Sequence, residues 1–573
     1  MAEARARAGE ASASRPLTGA VILVFTLASA FAINPYAYGG GDNRIAIPFL
    51  KAFADPGLYP GDYLLAQRPY YYTYLWNALG LIHRVLSVGL PALFFGLYLA
   101  ALFLTFLGVH RLSTTLFRSP AAAALALVLL AFPRMTLGGI PIVDPMLTTR
   151  AVATPIVLFA IVQHLEGRIG RAFLLLGLAY LVHPITTHFG LAMLVGATLV
   201  RPRRDGLRRL GTGLLGFLAV ASPLLLWRLQ HAPPSLHLGL ADPAWVHALR
   251  ARSSHHLFPF SWGWTALVHA LAAIALLVLT TRGWGAADER HRRVRAAALA
   301  LVVLGVAGTV FSELEPLGLA LLTQPLRAFA FVEFLVMVLV AGHFVAGADR
   351  PLRRADALVA ALAALWAAGG PRTYALPMIE AVVVVVAVIG LRRAGWGVGG
   401  AGRSVAATTA LIALAASACV VDDALLGAGS TFSIAGLDPP LHRDIGRWAR
   451  THTDRRDGFI VPPFEPGEFR VEGERTLYAD SEDGTLMNFD PAFGREWSRR
   501  MRNLRAPDPA SGQGDFCGLS VPDLVAIARE MALPGRRVFV VWPCSGRPLA
   551  LPLRYRNAAY RVYEMPGDAA TSR

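Results

Sequence analysis

Thirteen apolar runs, each the length of a helix or part of one, divide most of this 573-residue chain. They lie at 17–34, 89–109, 119–133, 151–165, 171–182, 184–200, 210–228, 262–281, 296–312, 328–347, 355–369, 374–391 and 404–422. A helix that crosses a bilayer needs roughly 17–25 apolar residues. Because only 16% of the residues are charged and the mean hydropathy is +0.48, a purely soluble enzyme is disfavoured. The sequence therefore predicts a polytopic α-helical membrane protein with about 13 transmembrane helices.

The placement of the basic residues predicts which loops face the cytoplasm. With the 171–200 stretch split into two helices at His183-Pro184, the inner segments hold 23 Lys and Arg in 73 residues and the outer segments hold 11 in 124. This bias follows the positive-inside rule. It predicts a cytoplasmic N-terminus (1–16), a membrane domain (17–434) with a first outer loop at 35–88, and an external C-terminus.

The net charge and the N-terminus each allow a second interpretation. The net charge of +16 comes from arginines clustered between apolar runs, which indicates membrane topology and no nucleic-acid partner. Residues 1–33 also fit a secretory signal with cleavage at Ala28-Ser29-Ala30. Cleavage would not change the side that the remaining loops face.

The tail at 435–573 is polar and lacks long apolar runs, which predicts a small extracytoplasmic α/β domain. The expected helices lie at 444–451 and 521–531, and the expected strands at 458–461, 476–479, 537–542 and 559–563. If the tail is exported, Cys517 and Cys544 could form a disulfide.

The first outer loop opens with Gly39-Gly40-Gly41, which frees the backbone immediately before Asp42. Asp42 is predicted to be the N-cap of a helix over 43–54, whose apolar residues would lie along the membrane surface. Asp55-Pro56 ends that helix. The aromatic run at 69–76 suits either the lipid interface or stacking on a sugar ring. The plainer alternative is that Asp42 only caps a helix and that the tyrosines only form an interfacial belt.

This layout of one crossing, a long outer loop opening on an acid, many further crossings and an exported tail resembles the GT-C superfamily of membrane glycosyltransferases. The best-matching motif is Gly41-Asp42-Asn43-Arg44. The resemblance implies a polyprenyl-phosphate-linked sugar donor, an acceptor that is a glycan, a lipid or a protein, and a place in the bacterial inner membrane. Many members have an acidic pair where this chain has Asp42-Asn43, so the second acid is missing here.

The resemblance implies that Asp42 is the general base that takes the proton from the acceptor hydroxyl, with inversion at the anomeric carbon. Asp55, Asp62 or Asp144 could supply a second acidic contact to the acceptor or to a metal. The superfamily contains both metal-dependent and metal-independent members. A divalent ion, Mg or Mn, therefore stays open.

The phosphate of such a donor needs cations near the outer surface. Arg150 and Arg327 each stand at the outer start of an apolar run, Arg327 following Gln324, and a guanidinium can bind phosphate with two parallel hydrogen bonds. Arg44 is a further outer-facing arginine. The alternative for these side chains is snorkelling at the interface.

His183 and His188 flank the proposed hairpin tip, where they could contact phosphate or sugar or could cap a broken helix pair. Glu333 falls inside an apolar run, a position where an ionisable group invites a functional reading.

The hypothesis that these patterns favour is a membrane glycosyltransferase acting on the extracytoplasmic face. One alternative is a transporter or flippase for a lipid or a small molecule, in which buried ionisable groups would line a path. Another is a non-catalytic GT-C-like protein whose tail is a binding module, which the missing second acid would favour.

Overall fold

The computed structural model describes residues 18–71, 73–199, 204–236, 238–285, 288–346, 353–368, 432–465, 467–506 and 514–566. The helices up to residue 368 are α1 (Thr18–Ile33), α2 (Asn43–Ala54), α3 (Tyr74–Leu86), α4 (Leu90–Phe117), α5 (Pro120–Ala131), α6 (Thr149–Leu165), α7 (Ile169–Val182), α8 (Pro184–Leu199), α9 (Arg204–Gln230), α10 (Pro243–Leu257), α11 (Trp264–Thr281), α12 (Glu289–Thr309), α13 (Gly318–Thr323), α14 (Phe329–Ala346) and α15 (Arg354–Ala368).

Each of the first eleven predicted apolar runs coincides with a helix. Within the described residues, five helical stretches are long and apolar enough to cross a membrane: Leu90–Phe117, Gly206–Gln230, Trp264–Thr281, Glu289–Leu314 and Gly318–Ala346. Shorter apolar helices such as α5 pack among these, and ten of its twelve residues are buried. The runs at 374–391 and 404–422 lie outside the described residues. The membrane character is confirmed, and the number of thirteen crossings stays a prediction.

The 171–200 stretch forms two helices that meet at His183. The ring of Pro184 disfavours helical backbone in the residue before it, and His183 has φ −149° and ψ 95°. Pro184 itself begins α8, where its missing N–H costs nothing. The break at this dipeptide therefore follows from local sequence.

Glu333 is held inside the helical core by three partners. Its carboxylate pairs with His269 Nε2 at 2.6 Å and accepts a hydrogen bond from Trp366 Nε1 at 2.7 Å. The guanidinium of Arg134 lies 3.6 Å from the centroid of the Trp366 ring and 3.5 Å from Glu333 Oε2. A buried acid that is satisfied in this way ties α11, α14 and α15 together, which is a structural role rather than a transport path.

The chain from 432 onward folds around a five-stranded mixed sheet. Its helices are α16 (Pro440–His452), α17 (Phe469–Gly473), α18 (Pro491–Asn503) and α19 (Val521–Glu530), and its strands are β1 (Gly458–Ile460), β2 (Thr476–Leu477), β3 (Val538–Trp542), β4 (Leu553–Arg556) and β5 (Arg561–Glu564). The strand order is β2-β1-β3-β5-β4. Strand β1 pairs in parallel with β2 and β3, whereas β5 pairs antiparallel with both β3 and β4. Cys517 and Cys544 are joined by a disulfide, as expected for an exported tail.

Helix α2 begins and ends where the sequence predicts, but its apolar side chains do not pack against what was predicted. Ile47 and Leu50 pack into the core of the membrane helices, whereas Ile45 and Phe49 pack into the core of the C-terminal segment. All four side chains are buried. The prediction that they lie along the membrane surface is therefore wrong, because protein covers both sides of this helix.

A buried charge cluster fixes the C-terminal segment to the first outer loop. Arg470 binds Asp483 with two hydrogen bonds of 2.6 and 2.9 Å, and its Nε donates to Asp62 at 3.1 Å. Tyr63 donates to the same Asp483 carboxylate at 2.8 Å. Lys51 adds a tie from α2 to the backbone at 471 and to a carboxylate at 474. The loop and the tail therefore form one packed unit.

Candidate active site

Asp42 stands at the head of α2 with its carboxylate exposed. The turn before it requires glycine, because Gly39 and Gly41 have φ of +89° and +49°. The Asp42 backbone carbonyl accepts from Ile45 and Ala46, but the side chain makes no capping hydrogen bond. Among the described residues this carboxylate has no hydrogen-bond or ion-pair partner. Its position is that of an N-cap, but the alternative that Asp42 only caps the helix is not supported.

Backbone hydrogen bonds hold the segment before this turn in place. Ala37 N donates to the carbonyl of Pro145 at 2.7 Å, and the side-chain Nδ2 of Asn34 donates to the carbonyl of Val143 at 2.8 Å. Tyr38 N donates to the carbonyl of Ser433 at 3.0 Å. The Asp42 turn is thus held between the loop before α6 and the start of the C-terminal segment.

Arg150 lies in the first turn of α6 and is oriented by Asp144. Its Nε donates to Asp144 Oδ2 at 3.2 Å, and its Nη2 makes a second short contact with Oδ1. Thr148 donates to Asp144 at 2.9 Å and also caps α6 by accepting from Ala151 N at 3.0 Å. Asp144, predicted as an acidic contact, is therefore engaged as the partner of Arg150.

Gln324 and Arg327 lie in the turn between α13 and α14. Gln324 has a left-handed backbone (φ +50°), is 1% exposed, and neither polar atom of its amide has a partner within the described part of the chain. Arg327 packs against Gly138, where a Cβ would come within 3.2 Å of the Arg327 backbone.

His256 donates from Nδ1 to the Gly138 carbonyl at 2.6 Å, which leaves its Nε2 as an acceptor. Burial, with the nearby charge of Arg327, lowers the pKa of His256 well below its usual value.

Asp42, Arg150 and Arg327 come together although they are far apart in sequence. Arg327 lies within electrostatic range of both Arg150 and Asp42, and Tyr71 lies within range of all three. Tyr71 packs between the rings of Phe49 and Phe489 in tilted arrangements, with centroid distances of 5.6 and 5.8 Å. One carboxylate therefore lies within electrostatic range of two guanidinium groups and of the Tyr71 ring.

A cleft with about 440 Å³ of space between atoms, part of which is open to solvent, lies next to this group. Its lining residues come from the first outer loop, the starts of α6 and α8, the ends of α7 and α9, and the C-terminal segment: Tyr70, Tyr71, Thr73, Thr149, Val182, His183, Pro184, Ile185, Arg228 and Phe489. The first backbone N–H groups of a helix have no partner within it, so the two helix starts favour an anion. Arg228 adds a cation to the same wall.

The two predicted histidines differ in position. His183 lines the cleft and also caps α8, because its Nδ1 accepts from Thr186 N at 3.1 Å. His188 lies one turn further on, against Tyr180 at a ring-centroid distance of 5.8 Å. The capping role is thus observed for His183, whose Nε2 is left for a ligand.

Three other predicted residues face the C-terminal segment instead of the cleft. Asp55 pairs with Arg455 at 2.7 Å on the surface, and Asp62 is buried against Arg470. The Arg44 guanidinium fits against Gly467, where a Cβ would collide with it. These positions favour roles in holding the tail.

Arg228 and Phe489 were not predicted from the sequence. Arg228 ends an apolar run at its outer side, which is the signal that also marked Arg150 and Arg327. Trp227 beside it donates to the carbonyl of Pro69 at 2.7 Å and so ties α9 to the aromatic run. Phe489 gave no local signal, because it reaches the cleft only through the fold of the tail.

No group of three or more His, Cys, Asp or Glu side chains that could hold a metal ion occurs within the described ranges. The question of Mg or Mn therefore stays as the sequence left it.

The fold is that of a multi-pass membrane protein. No protein-family model and no curated protein matches the chain. Two crystal structures of ArnT from Cupriavidus metallidurans are similar to it. The one bound to undecaprenyl phosphate is 14% identical, covers 97% of this chain and 99% of its own, and has a TM-score of 0.49. The apo structure is 15% identical, covers 97% and 98%, and has a TM-score of 0.48.

Proposed function

We propose that this protein is a membrane glycosyltransferase that moves a sugar from a polyprenyl-phosphate-linked donor to an acceptor hydroxyl on the extracytoplasmic face. The observation that carries the proposal is the exposed carboxylate of Asp42, which makes no capping hydrogen bond and lies within electrostatic range of Arg150 and Arg327, next to a cleft that Tyr71 lines. A base, two cations and an anion-favouring cavity are the groups that such a transfer requires.

The donor phosphate fits the end of the cleft formed by Arg228 and the starts of α6 and α8. The backbone N–H groups near Thr149 and Ile185 and the positive ends of both helix dipoles favour a phosphate there. Arg228 supplies a charge-assisted hydrogen bond. The polyprenyl chain would then lie among the apolar helices, whose exposed leucines on α9 suit a lipid environment.

The transfer step follows from this placement of the donor phosphate. The acceptor oxygen attacks the anomeric carbon from the face opposite the phosphate, and Asp42 takes the hydroxyl proton. The glycosidic C–O bond to phosphate breaks, and the electron pair leaves with the phosphate, whose charge the arginines stabilise. The product is inverted at the anomeric carbon. The acceptor, whether glycan, lipid or protein, would approach along the side of Asp42.

Neutralising Arg228, which lines the cleft, or Arg327, which lies near it, should weaken donor binding. We expect Arg228→Gln and Arg327→Gln each to raise the Kd for undecaprenyl phosphate roughly tenfold to a hundredfold, because a hydrogen bond to a charged group is worth about 1.5–3 kcal/mol. Binding would be measured on the purified protein in detergent by native mass spectrometry. Arg84→Gln is the matched control, because Arg84 is exposed at the end of α3. Unchanged affinity in both Arg228→Gln and Arg327→Gln would contradict the proposed phosphate site.

The disulfide supports an extracytoplasmic tail, since such bonds persist in oxidising compartments. We expect Cys517 and Cys544 in intact cells to resist a thiol-reactive maleimide until a reductant is added. Labelling would be read as a mass shift on a gel, with the Cys517→Ser/Cys544→Ser double variant as the control. Full labelling without reductant would instead favour a cytoplasmic tail.

A further inference from the structure

Glu468 is a buried acid of the C-terminal segment that the proposed chemistry does not use. It is 1% exposed and stands directly before α17. Its Oε1 accepts from Leu437 N at 2.6 Å, and its own N–H donates to Asp438 at 2.9 Å. Its Oε2 has no hydrogen-bond partner among the described residues. A buried oxygen without a partner calls for a physical reason.

The backbone around this carboxyl is shaped by glycine. A Cβ on Gly39 would lie 3.0 Å from the Glu468 Cδ, and a Cβ on Gly436 would collide with Oε2. Both glycines have positive φ, +89° and +112°. The turn that leads to Asp42 is therefore folded against the Glu468 carboxyl, and no other residue type fits at these two positions without displacing it.

Main-chain hydrogen bonds also join the first outer loop to the stretch before Leu437. Ser433 N donates to the carbonyl of Tyr36 at 2.8 Å and its carbonyl accepts from Tyr38 N at 3.0 Å. Because Glu468 holds Leu437, four residues further on, it secures the strand-like stretch that pairs with the loop. Asp42 is three residues beyond the contact at Gly39.

We propose that Glu468 is a positioning residue of this site: its contacts with Leu437 and Gly39 hold the turn that places the Asp42 carboxylate, and its charge state sets how firmly they do so. The statement that Glu468 places a catalytic carboxylate rests on the proposed function. The stability of the turn, by contrast, can be measured without any transfer activity.

The charged and titratable groups that face Glu468 are Arg44 from α2, Asp438 from the stretch before α16, and Tyr38 from the first outer loop. Burial raises the pKa of Glu468 to about 7, the charge of Asp438 adds to this, and the backbone hydrogen bond from Leu437 and the charge of Arg44 oppose it.

The sign of the effect follows from the raised pKa. The closed turn binds the proton more tightly than an opened turn, in which Glu468 would have its usual pKa of 4.5. The hold is therefore strongest in acid and weakens as the pH rises through about 7. Between pH 6 and pH 8, these two pKa values give about a tenfold increase in the opening equilibrium.

Hydrogen–deuterium exchange on the full chain in detergent tests this. After correction for the intrinsic exchange rate, we expect the protection of the peptide covering 36–44 to fall about tenfold from pH 6 to pH 8. Glu468→Gln keeps an acceptor for Leu437 but cannot ionise, so its protection should not change with pH. Glu465→Gln, the same substitution at an exposed position three residues earlier, should behave as the wild type.

A flat wild-type profile would overturn the proposal, and so would a pH response that persists in Glu468→Gln. The wild-type series alone decides the first point should that variant fail to fold. In a transfer assay, the pH dependence of kcat should lose its component near 7 in Glu468→Gln. Absence of transfer in the wild type would count against the proposed function, and the exchange data would still judge Glu468.

Discussion

Replacing Asp42 by Asn should abolish most of the sugar transfer, with kcat falling by roughly 10²–10⁴, because a positioned general base contributes about that much. The amide is nearly isosteric with the carboxylate but cannot accept the proton. Since the Asp42 side chain caps no helix, the variant should fold normally and bind undecaprenyl phosphate at least as well as the wild type. The measurement is transfer of labelled sugar from a synthetic polyprenyl-phosphate donor into membranes that contain the protein.

Asp55→Asn is the matched control for Asp42→Asn. Asp55 follows the same helix that Asp42 precedes, is exposed, and pairs with Arg455 on the surface. Its replacement should leave transfer within about twofold, since exposed ion pairs contribute little. Equal activity of Asp42→Asn and Asp55→Asn would remove Asp42 from the mechanism.

Replacing Arg470 by Met should destabilise the protein by roughly 3–5 kcal/mol, because removing one partner of a buried ion pair leaves its counter-charge uncompensated. Here two carboxylates, Asp62 and Asp483, would lose the same guanidinium. The check is thermal unfolding in detergent. Arg455→Met removes the exposed pair with Asp55 and should cost at most about 1 kcal/mol.

The destabilisation by Arg470→Met should shrink in acid. Burial raises the pKa of Asp62, and Arg470 opposes this rise. Without the guanidinium the folded protein would bind a proton at Asp62 more tightly than the unfolded chain does, so acidification would favour folding of the variant. A penalty that is equal at pH 5 and pH 8 would show that the lost charge is not its cause.

Local signals were enough to predict the elements that carry the site. The glycines before Asp42 and the Asp55-Pro56 pair after it bound α2 correctly, since caps and breakers act within a few residues. His183-Pro184 divided the 171–200 stretch for the same reason. Strand β4 was not predicted, because its side chains are mostly exposed and give no alternating apolar pattern.

Relations between distant residues could not be predicted in this way. The apolar positions of α2 look the same whether lipid or protein covers them, so the burial of Ile45 and Phe49 under the tail gave no sign in the sequence. Likewise, Arg44 and Asp62 are outer-loop charges like Asp42, and only the packed tail separates their roles. Arg150 and Arg327 were singled out individually, but their approach to Asp42 depends on how the helices pack.

Phe489 forms part of the cleft wall and packs against Tyr71, a residue more than 400 positions earlier. The ribosome adds Tyr71 early and Phe489 late in the synthesis of the chain. The membrane part of the nascent chain would therefore form an incomplete cleft until the last quarter of the polypeptide has been synthesised and folded. The cleft of such a protein is completed only when its biosynthesis is nearly finished.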